Sequence, residues 1–429
     1  MNEHDPHVTR AWVLHPDINS RPARAASAAA LEEAVALAAA LPGLTVAGSD
    51  VVRLAKVQPG LLFGKGKVAE LKARFEADDI ELVLIDGPVS PVQQRNLEEA
   101  WNVKLLDRTG LILEIFSDRA QTREGVLQVE MAALSYQRTR LVRAWTHLER
   151  QRGGLGFVGG PGETQIEADR RAIDDAIVRI RRQLAKVVKT RALHRAARAK
   201  IPFPIVALVG YTNTGKSTLF NRLTGANVVA QDMLFATLDP TMRAVKLPTG
   251  KDIILSDTVG FISDLPTELV AAFRATLEEV LSADLIVHIR DISHAQSAAQ
   301  AQDVETILQT LGVGENVTRL EVWNKIDKLS SDDRATCMAQ SQRTPGVLAI
   351  SAQTGEGLDE LIELITELLD EERFQRELTL KFARGRERAW LFEEGVVEAE
   401  TQIEDGYRLL VNWTPRQEKQ FRELAPAKR

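Results

Sequence analysis

An apolar strand that runs directly into a glycine-rich loop, IVALVGYTNTGKST at residues 205–218, restricts the fold more than any other feature of the chain. The loop fits the pattern G-x-x-x-x-G-K-[ST], in which Gly210 and Gly215 let the backbone wrap closely around phosphates at a helix N-terminus. Lys216 places a cation on the β- and γ-phosphates, and Ser217 offers its hydroxyl to Mg²⁺. The other loop residues that we expect at the phosphates are Asn213, Thr214 and Thr218. The segment predicts an α/β nucleotide-binding domain with a mixed, mainly parallel sheet.

Two later segments supply groups for the metal and the γ-phosphate. FATLDPT contains Thr237, a threonine that can complete the Mg²⁺ shell and sense the γ-phosphate. ILSDTVG is a strand that ends at Asp257, a candidate carboxylate for the Mg²⁺ site, and Gly260 can offer its backbone amide to the γ-phosphate. We therefore predict catalytic roles for Lys216, Thr237, Asp257 and Gly260, and metal ligation by Ser217 and Thr237.

The segments RLEVWNKID and VLAISAQTGEG predict which base is bound. A carboxylate at Asp327 can accept both the N1–H and the 2-amino group of guanine, and adenine lacks that pair of donors, so a site of this kind rejects it. Asn324 precedes it in the same motif, Lys325 can lie along the face of the base, and the backbone of Ser351 and Ala352 can meet the guanine O6. The motif NKID alone would also fit a helix N-cap, but the ordered set of segments predicts a GTP/GDP site with Mg²⁺.

Phe261 follows Gly260 at a position where nucleotide switches can carry a glutamine that orients the attacking water. A phenyl ring can neither accept nor donate that hydrogen bond, so the water must be positioned by another group or by a partner. We therefore predict hydrolysis that is slow in the isolated chain and stimulated by a partner.

The pattern along the chain predicts four domains. Residues 1–119 alternate short strands with helices, which indicates a small α/β domain with a parallel sheet, and residues 120–200 form a long antiparallel helical hairpin. Residues 201–370 hold the nucleotide motifs, and residues 371–429 read as a small α+β domain.

Two heptad seams define the hairpin, and an arginine fills one slot in each, Arg138 in the first and Arg170 in the second. The loop at residues 153–165 is rich in glycine and longer than the ~2–5 residues that a helical hairpin needs. The loop is either a tip that contacts a partner or a flexible turn. The apolar seam residues are Leu127, Met131, Leu134, Leu141, Trp145 and Leu148 in the first helix and Ile166, Ile173, Ile177, Ile180, Leu184 and Val187 in the second.

Charge is concentrated in the middle of the chain. Residues 119–200 contain 18 Lys and Arg against 8 Asp and Glu, a balance of +10, so the rest of a chain with net charge −6 carries −16. This pattern fits a phosphate-facing surface, although a solvated helical face would have the same composition. The single cysteine, Cys337, excludes an intramolecular disulfide. No uncharged apolar run approaches the ~18 residues of a membrane span, and the N-terminus lacks a signal-peptide core, so we expect a cytoplasmic protein without stable membrane insertion.

Outside the nucleotide motifs the chain contains the segments FGKGKVAEL, SPVQQRNLE, DRTGLILEIF and GPGETQIEADRR, and its nucleotide motifs read in full GYTNTGKSTLFN, FATLDPT and DTVGFISDLP. With these motifs the sequence resembles the HflX family, within the Obg–HflX branch of translation-associated GTPases. The resemblance implies a GTPase that binds the large (50S) ribosomal subunit, through ribosomal RNA contacted by the hairpin and its tip, and that splits or rescues ribosomes; we expect a monomer and no DNA partner. In similar GTPases the position of Asn213 can help to hold a monovalent cation such as K⁺, against which an ordinary loop amide is the simpler interpretation.

Three other functions have similar nucleotide motifs. A GTPase coupled to RNA modification would need a C-terminal cysteine motif, whereas Cys337 is the only cysteine and lies between NKID and SAQTG. An assembly factor with a KH module would need a G-x-x-G clamp near the C-terminus, and the glycines beyond residue 371 lack that spacing. A signalling switch with a protein partner stays open as the third alternative.

Overall fold

The computed structural model describes residues 8–18, 27–151, 161–198, 203–226, 234–235, 241–263, 280–313, 317–370 and 374–424. For 141–151, 161–166 and 188–198 it describes the helical backbone alone. Thr237 and residues 153–160 of the hairpin loop therefore lie outside the described residues. The chain forms two compact units, Met1–Leu361 and Ile362–Arg429. The predicted domain boundaries stay predictions.

The first unit begins with a four-stranded parallel sheet in the order β2-β1-β3-β4. Helix α3, Pro91–Trp101, begins at Pro91 because Ser90 and Gln93 form a reciprocal capping box with the proline in the first turn. Asp107 caps the last helix of this region by accepting a hydrogen bond from the Gly110 amide at 2.8 Å. The elements are β1 Thr9–Ile18, α1 Ser27–Ala39, β2 Leu44–Leu54, α2 Lys65–Ala77, β3 Leu82–Ile85, α3 Pro91–Trp101, β4 Lys104–Asp107 and α4 Arg108–Arg119.

Two long helices follow, α5 Arg123–Gln151 and α6 Pro161–Arg198. The two arginines that fill the seam slots both approach Asp174: Arg138 Nε lies 2.9 Å and Arg170 Nε 4.0 Å from its carboxylate. Helix α6 begins at Pro161, inside the segment 153–165 that we assigned to the loop, because proline is favourable at the first helical position. Arg138 and Asp174 each lie 13 residues from the hairpin end of their helix, Gln151 and Pro161, as expected for the antiparallel hairpin. Since all three side chains are half exposed, these pairs align the helices and contribute little stability, on the order of 0–1 kcal/mol each.

A six-stranded sheet in the order β10-β9-β8-β5-β7-β6 forms the nucleotide domain. All its neighbouring strands pair in parallel except β6 and β7, so the predicted mixed, mainly parallel sheet is confirmed. Its elements are β5 Ile205–Gly210, α7 Lys216–Thr224, β6 Thr241–Lys246, β7 Asp252–Asp257, β8 Leu285–Asp291, α8 Ser297–Leu311, β9 Thr318–Asn324, α9 Ser331–Arg343, β10 Val347–Ala349 and α10 Leu358–Leu368.

One buried hydrophobic cluster continues from the first sheet into the nucleotide domain. It includes Leu111 and Phe116 from α4 together with Tyr211 and Phe261 from the nucleotide domain. Phe116 meets Phe235 edge to face, with ring centroids 4.6 Å apart, an arrangement that aromatic pairs prefer. The two domains of the first unit therefore share a core beside the nucleotide motifs.

The second unit closes with an antiparallel sheet in the order β11-β13-β12, covered by two helices, so the predicted α+β appendage is confirmed in its class. Between β12 and β13 the chain turns at Glu404 and Asp405, and Gly406 begins β13. Its elements are β11 Phe374–Lys381, α11 Gly385–Glu393, β12 Val397–Ile403, β13 Gly406–Trp413 and α12 Pro415–Leu424. Among the described residues of the chain, no helix is both long and apolar enough to cross a membrane.

Candidate guanine-nucleotide site

The phosphate loop lies between β5 and α7, where its two glycines allow close packing. A Cβ at Gly210 would lie 2.3 Å from the carbonyl oxygen of Ile289 in the neighbouring strand. Gly215 has a φ of +92°, and a Cβ there would lie 2.4 Å from the side-chain nitrogen of Asn324. Both distances are too short for a carbon atom, so these positions need glycine for steric reasons that act before any phosphate is bound.

Lys216 is buried at the start of α7, with 6% of its surface exposed. Its Nζ donates to the carbonyl oxygen of Tyr211 at 2.6 Å. Burial lowers the pKa of Lys216 to about 8, against the opposing attraction of Asp257, and Lys325 lowers it further. A buried ammonium group at the end of the loop is poorly solvated, so phosphate oxygens would stabilise its charged form.

Ser217 and Asp257 meet at the predicted magnesium site. The Ser217 hydroxyl donates to Asp257 Oδ2 at 2.7 Å, and the carboxylate is fully buried at the end of β7. Mg²⁺ prefers one or two hard oxygen ligands from the protein, with phosphates and waters completing the shell. This hydroxyl and carboxylate fit that requirement, whereas Thr237, the other predicted ligand, lies outside the described residues.

Asn324 connects the phosphate loop with the segment after β10. Its Nδ2 donates to the carbonyl oxygen of Thr214 at 2.7 Å, and its Oδ1 accepts from the Ala352 amide at 2.9 Å. All three residues are buried. Asn324 thus holds two loops of the site in place, a role that the motif alone does not reveal. The contact of Ala352 with the guanine O6 stays a prediction, since its amide already has a protein acceptor.

Lys325 and Asp327 lie on the side predicted for the base. Lys325 has a left-handed backbone with φ +68°, and its Nζ contacts the Asn213 carbonyl oxygen at 2.6 Å and Asp291 at 2.8 Å. The extended side chain therefore crosses from β9 to the phosphate loop, as required of a group that covers the face of a base. Asp327 is exposed, and its Oδ1 accepts from the Ser351 hydroxyl at 2.5 Å.

The segment 260–263, which we call the switch segment, lies directly on the phosphate loop. Phe261 and Tyr211 form a β-bridge, in which the Thr212 amide donates to the Phe261 carbonyl at 2.7 Å and the Phe261 amide donates to the Gly210 carbonyl at 3.1 Å. A Cβ at Gly260 would lie 2.8 Å from Thr212 Cγ2 and 3.1 Å from Lys216 Nζ. Glycine is therefore needed where the switch segment approaches the lysine of the phosphate loop.

The side chain of Phe261 is buried in the hydrophobic cluster shared by the two domains, with 2% of its surface exposed. The ring therefore packs in the hydrophobic core and does not project into the phosphate site. Asn213, by contrast, is exposed at the outer end of the phosphate loop, with a left-handed φ of +60° that asparagine tolerates.

The contacts above join the predicted residues into one site. They link the phosphate loop to the metal-site carboxylate, the switch segment and both base-side segments. Thr218 lies in the first turn of α7, next to the two residues assigned to the phosphates and the metal. The predicted roles of these residues stay proposals, and the site has further members that sequence reasoning missed: Tyr211, Ser263, Glu33 and Arg108 form a hydrogen-bonded group behind the phosphate loop. The motif DRTG, which contains Arg108, was a signal for this group, but its partners are too far apart in sequence to be inferred.

Family models match four consecutive parts of the chain. In order they are described as GTP-binding GTPase N-terminal at residues 28–117, GTP-binding GTPase middle region at 119–198, 50S ribosome-binding GTPase at 205–325 and HflX C-terminal domain at 336–425. The matched segments cover the phosphate loop, the metal-site carboxylate, the switch segment and both flanking regions, whereas Asp327 lies between two of them.

Relatives match over a similar length. A GTPase HflX of Magnetococcus marinus is 49% identical, and the match covers 87% of this chain and 85% of the relative. A GTPase HflX of Escherichia coli is 46% identical over 81% of each chain. A crystal structure of a GTP-binding protein from the archaeon Sulfolobus solfataricus in complex with GDP is 22% identical, covering 84% of this chain and 98% of the other, with a TM-score of 0.46. Because the matches at 46–49% identity run through most of its length, the chain belongs to the HflX family, and it is a GTPase.

Proposed function

We propose that this GTPase acts on the large ribosomal subunit, and that its GTP-bound form splits or rescues ribosomes. The family model that matches residues 205–325 is described as a 50S ribosome-binding GTPase, which supports this choice of partner. Hydrolysis in the isolated protein is slow, and the subunit accelerates it.

The observation that carries this proposal is the charge on helix α6. The helix has 38 residues and is therefore about 57 Å long at 1.5 Å per residue. One side carries the buried seam residues Ile177 and Ile180. The sequence of the helix contains ten Lys and Arg against five Asp and Glu, and the exposed side chains of its described part carry both signs with an excess of basic residues. Phosphate contacts from basic side chains supply much of the affinity for nucleic acid. The exposed basic residues are Arg170, Arg171, Arg179, Arg181, Arg182 and Lys186.

The site accounts for binding and for slow hydrolysis. Lys216 would contact the β- and γ-phosphates, and the Gly260 amide would meet the γ-phosphate from the other side. Ser217 and Asp257 would hold Mg²⁺, which neutralises phosphate charge when bound. Phe261 is buried and cannot position water. The group that orients the water is therefore supplied by the partner, by a cation near Asn213 or by a backbone group of the site.

A K⁺ site at Asn213 has a direct test. If this residue helps to hold a monovalent cation near the phosphates, GTP turnover will be faster in K⁺ than in Na⁺ at equal ionic strength, and Asn213→Ala will remove the difference. Equal rates in the two salts would exclude the cation and leave the partner or a backbone group as the source of water positioning.

Ribosome association is tested by sedimentation of the protein with purified 50S subunits in GDP, GTP and a non-hydrolysable GTP analogue. We expect the strongest association with the analogue. Replacing Arg179, Arg181 and Arg182 by glutamine should weaken it and lower the slope of log affinity against log salt by up to about one for each lost phosphate contact.

The matched control replaces Lys65, Lys72 and Arg95, three exposed basic residues of the first domain, by glutamine. It removes the same charge from a different surface, so an equal loss in both triple variants would show that only net charge matters. Turnover measured without and with subunits completes the test. Fast turnover in the protein alone, unchanged by subunits, would contradict the proposal. So would 70S ribosomes whose two subunits stay joined when the analogue-bound protein is added.

A further inference from the structure

Polar side chains converge where the strands of the first parallel sheet end. His15 Nδ1 lies 2.7 Å from Asp86 Oδ2, and Arg108 Nη1 donates to Asp86 Oδ1 at 2.6 Å. Asp86 follows β3 and Arg108 follows β4, and all three side chains are buried. In open parallel sheets the carboxyl edge is the place where ligands bind. Here Arg108 occupies that edge and points toward the nucleotide domain.

Arg108 contacts both domains of the first unit. Its Nη2 donates to Glu33 of α1 and, at 2.9 Å, to the carbonyl oxygen of Ser263 in the switch segment. The pKa of Arg108 is raised, because the attraction of Asp86 and Glu33 outweighs burial, so the guanidinium keeps its charge. The first domain therefore holds the backbone of the switch segment with a permanent cation.

The hydroxyl of Tyr211 is a second connection between the same parts. It donates to Glu33 and accepts from the Ser263 amide at 2.7 Å, and it lies 2.7 Å from the Ser263 hydroxyl. The Ser263 hydroxyl donates in turn to Asp303 at 3.0 Å. Each hydrogen atom thus has an acceptor, and the phenol stays protonated because burial raises the pKa of Tyr211.

Tyr211 also belongs to the phosphate loop. Its carbonyl oxygen accepts from Lys216 Nζ at 2.6 Å, and its backbone pairs with Phe261. One residue therefore touches the lysine assigned to the phosphates, the switch segment and, through Glu33, the first domain. A displacement of the switch segment has to break contacts at this residue.

We propose that Glu33 and Arg108 are positioning residues of the GTPase: through Tyr211 and Ser263 they hold the switch segment against the phosphate loop, so that the first domain determines how strongly the site prefers GTP over GDP. The inference rests on the proposed contact of the Gly260 amide with the γ-phosphate and is independent of the ribosome. GDP has no γ-phosphate for the Gly260 amide to contact, so the held position of the switch segment stabilises only the GTP complex. By linkage, GTP binding strengthens the contact between the two domains by the same factor.

The test compares affinities for GDP and for a non-hydrolysable GTP analogue, both with Mg²⁺, in the full-length protein. Tyr211→Phe removes only the hydroxyl. Glu33→Gln removes the charge and replaces one of the two acceptor oxygens, which bind Arg108 and Tyr211, with an amide donor. We expect either change to weaken analogue binding by about 5- to 30-fold, within the usual range of coupling between sites, while GDP affinity changes less than twofold. The double variant should lose no more than the stronger single variant, because both changes interrupt the same connection.

The matched control is Tyr136→Phe. Its hydroxyl also donates to a buried carboxylate, that of Asp107 at 2.6 Å, but Tyr136 lies on α5, and within the described part of the chain the hydroxyl bonds to Asp107 and Arg140 and not to the switch segment. We expect this variant to bind both nucleotides like the unmodified protein. Arg108→Lys keeps the charge but lacks the guanidinium fork, and should resemble Glu33→Gln.

Two results would overturn the proposal. An equal loss of affinity for GDP and for the analogue would mean that the group only supports the phosphate loop. Unchanged affinity for both nucleotides would mean that the contacts have no part in nucleotide selection. If Arg108→Lys does not fold, as judged by thermal unfolding, the decision rests on Tyr211→Phe, the mildest of the changes.

Discussion

Asn324 offers the sharpest test of how the site is built. Replacing it by alanine removes the donor to the Thr214 carbonyl at 2.7 Å and the acceptor of the Ala352 amide at 2.9 Å. Both partners are buried, and an unsatisfied buried group costs about 1–3 kcal/mol. For the two groups together the cost would be about 2–6 kcal/mol. Because the loops can shift and let water bind the freed groups, we expect the lower part of this range, about 2–3 kcal/mol.

If this loss falls on nucleotide binding, GDP and GTP affinity will both decrease by about 30- to 150-fold, since 1.4 kcal/mol corresponds to a factor of ten. Titration with a fluorescent guanine nucleotide measures this change. Asn96→Ala is the matched control, because the Asn96 side chain also donates to a backbone carbonyl, that of Gly60 at 2.9 Å, but in the first domain. Unchanged affinity in Asn324→Ala, or the same loss in Asn96→Ala, would refute the bridging role.

Three further predictions follow from the charged groups of the nucleotide domain. The pKa of Lys216 is about 8 in the free protein, and phosphate oxygens raise it, so GDP binding between pH 8 and 9 should take up a proton. Calorimetry in buffers of different ionisation enthalpy measures this proton uptake, and Lys216→Met should abolish it. Asp327→Asn should weaken GDP binding and favour xanthosine diphosphate, because an amide can donate to the 2-oxygen of xanthine; retained guanine preference in competition titrations would contradict the base contact. Burial lowers the pKa of His288 to about 4, below its ordinary 6.5, so the unfolded state binds more protons between these values and stability should fall as pH is lowered from 6.5. The loss should reach about 2 kcal/mol at pH 5, and His288→Gln should lose less in urea unfolding; parallel losses in the two proteins would exclude this histidine as the cause.

Local motifs made much of the site predictable. The phosphate loop is contiguous, and its two glycines are required by packing against Ile289 and Asn324 as well as by phosphate. The heptad spacing predicted the helical hairpin, and the strand–helix alternation predicted the parallel sheet of the first domain and the mixed, mainly parallel sheet of the nucleotide domain. These features depend on neighbours in sequence or on periodicity, which a single chain displays directly.

Other properties depended on which residues meet in space. The two seam arginines, Arg138 and Arg170, were visible as gaps in the heptads, but only the packed helices showed that they share Asp174. The role of Asn324 as a bridge also emerged only when the phosphate loop and the segment after β10 came together.

The sequence by itself determined that this protein binds a guanine nucleotide and that Phe261 cannot position water, because both conclusions follow from the chemistry of side chains in contiguous motifs. Only the tertiary structure decided where the phenyl ring goes and what holds the switch segment. Glu33 and Tyr211 are separated by 178 positions, yet share a hydrogen bond. Such a contact arises when a helix of one domain packs on a loop of another, and no local pattern of residues encodes that meeting.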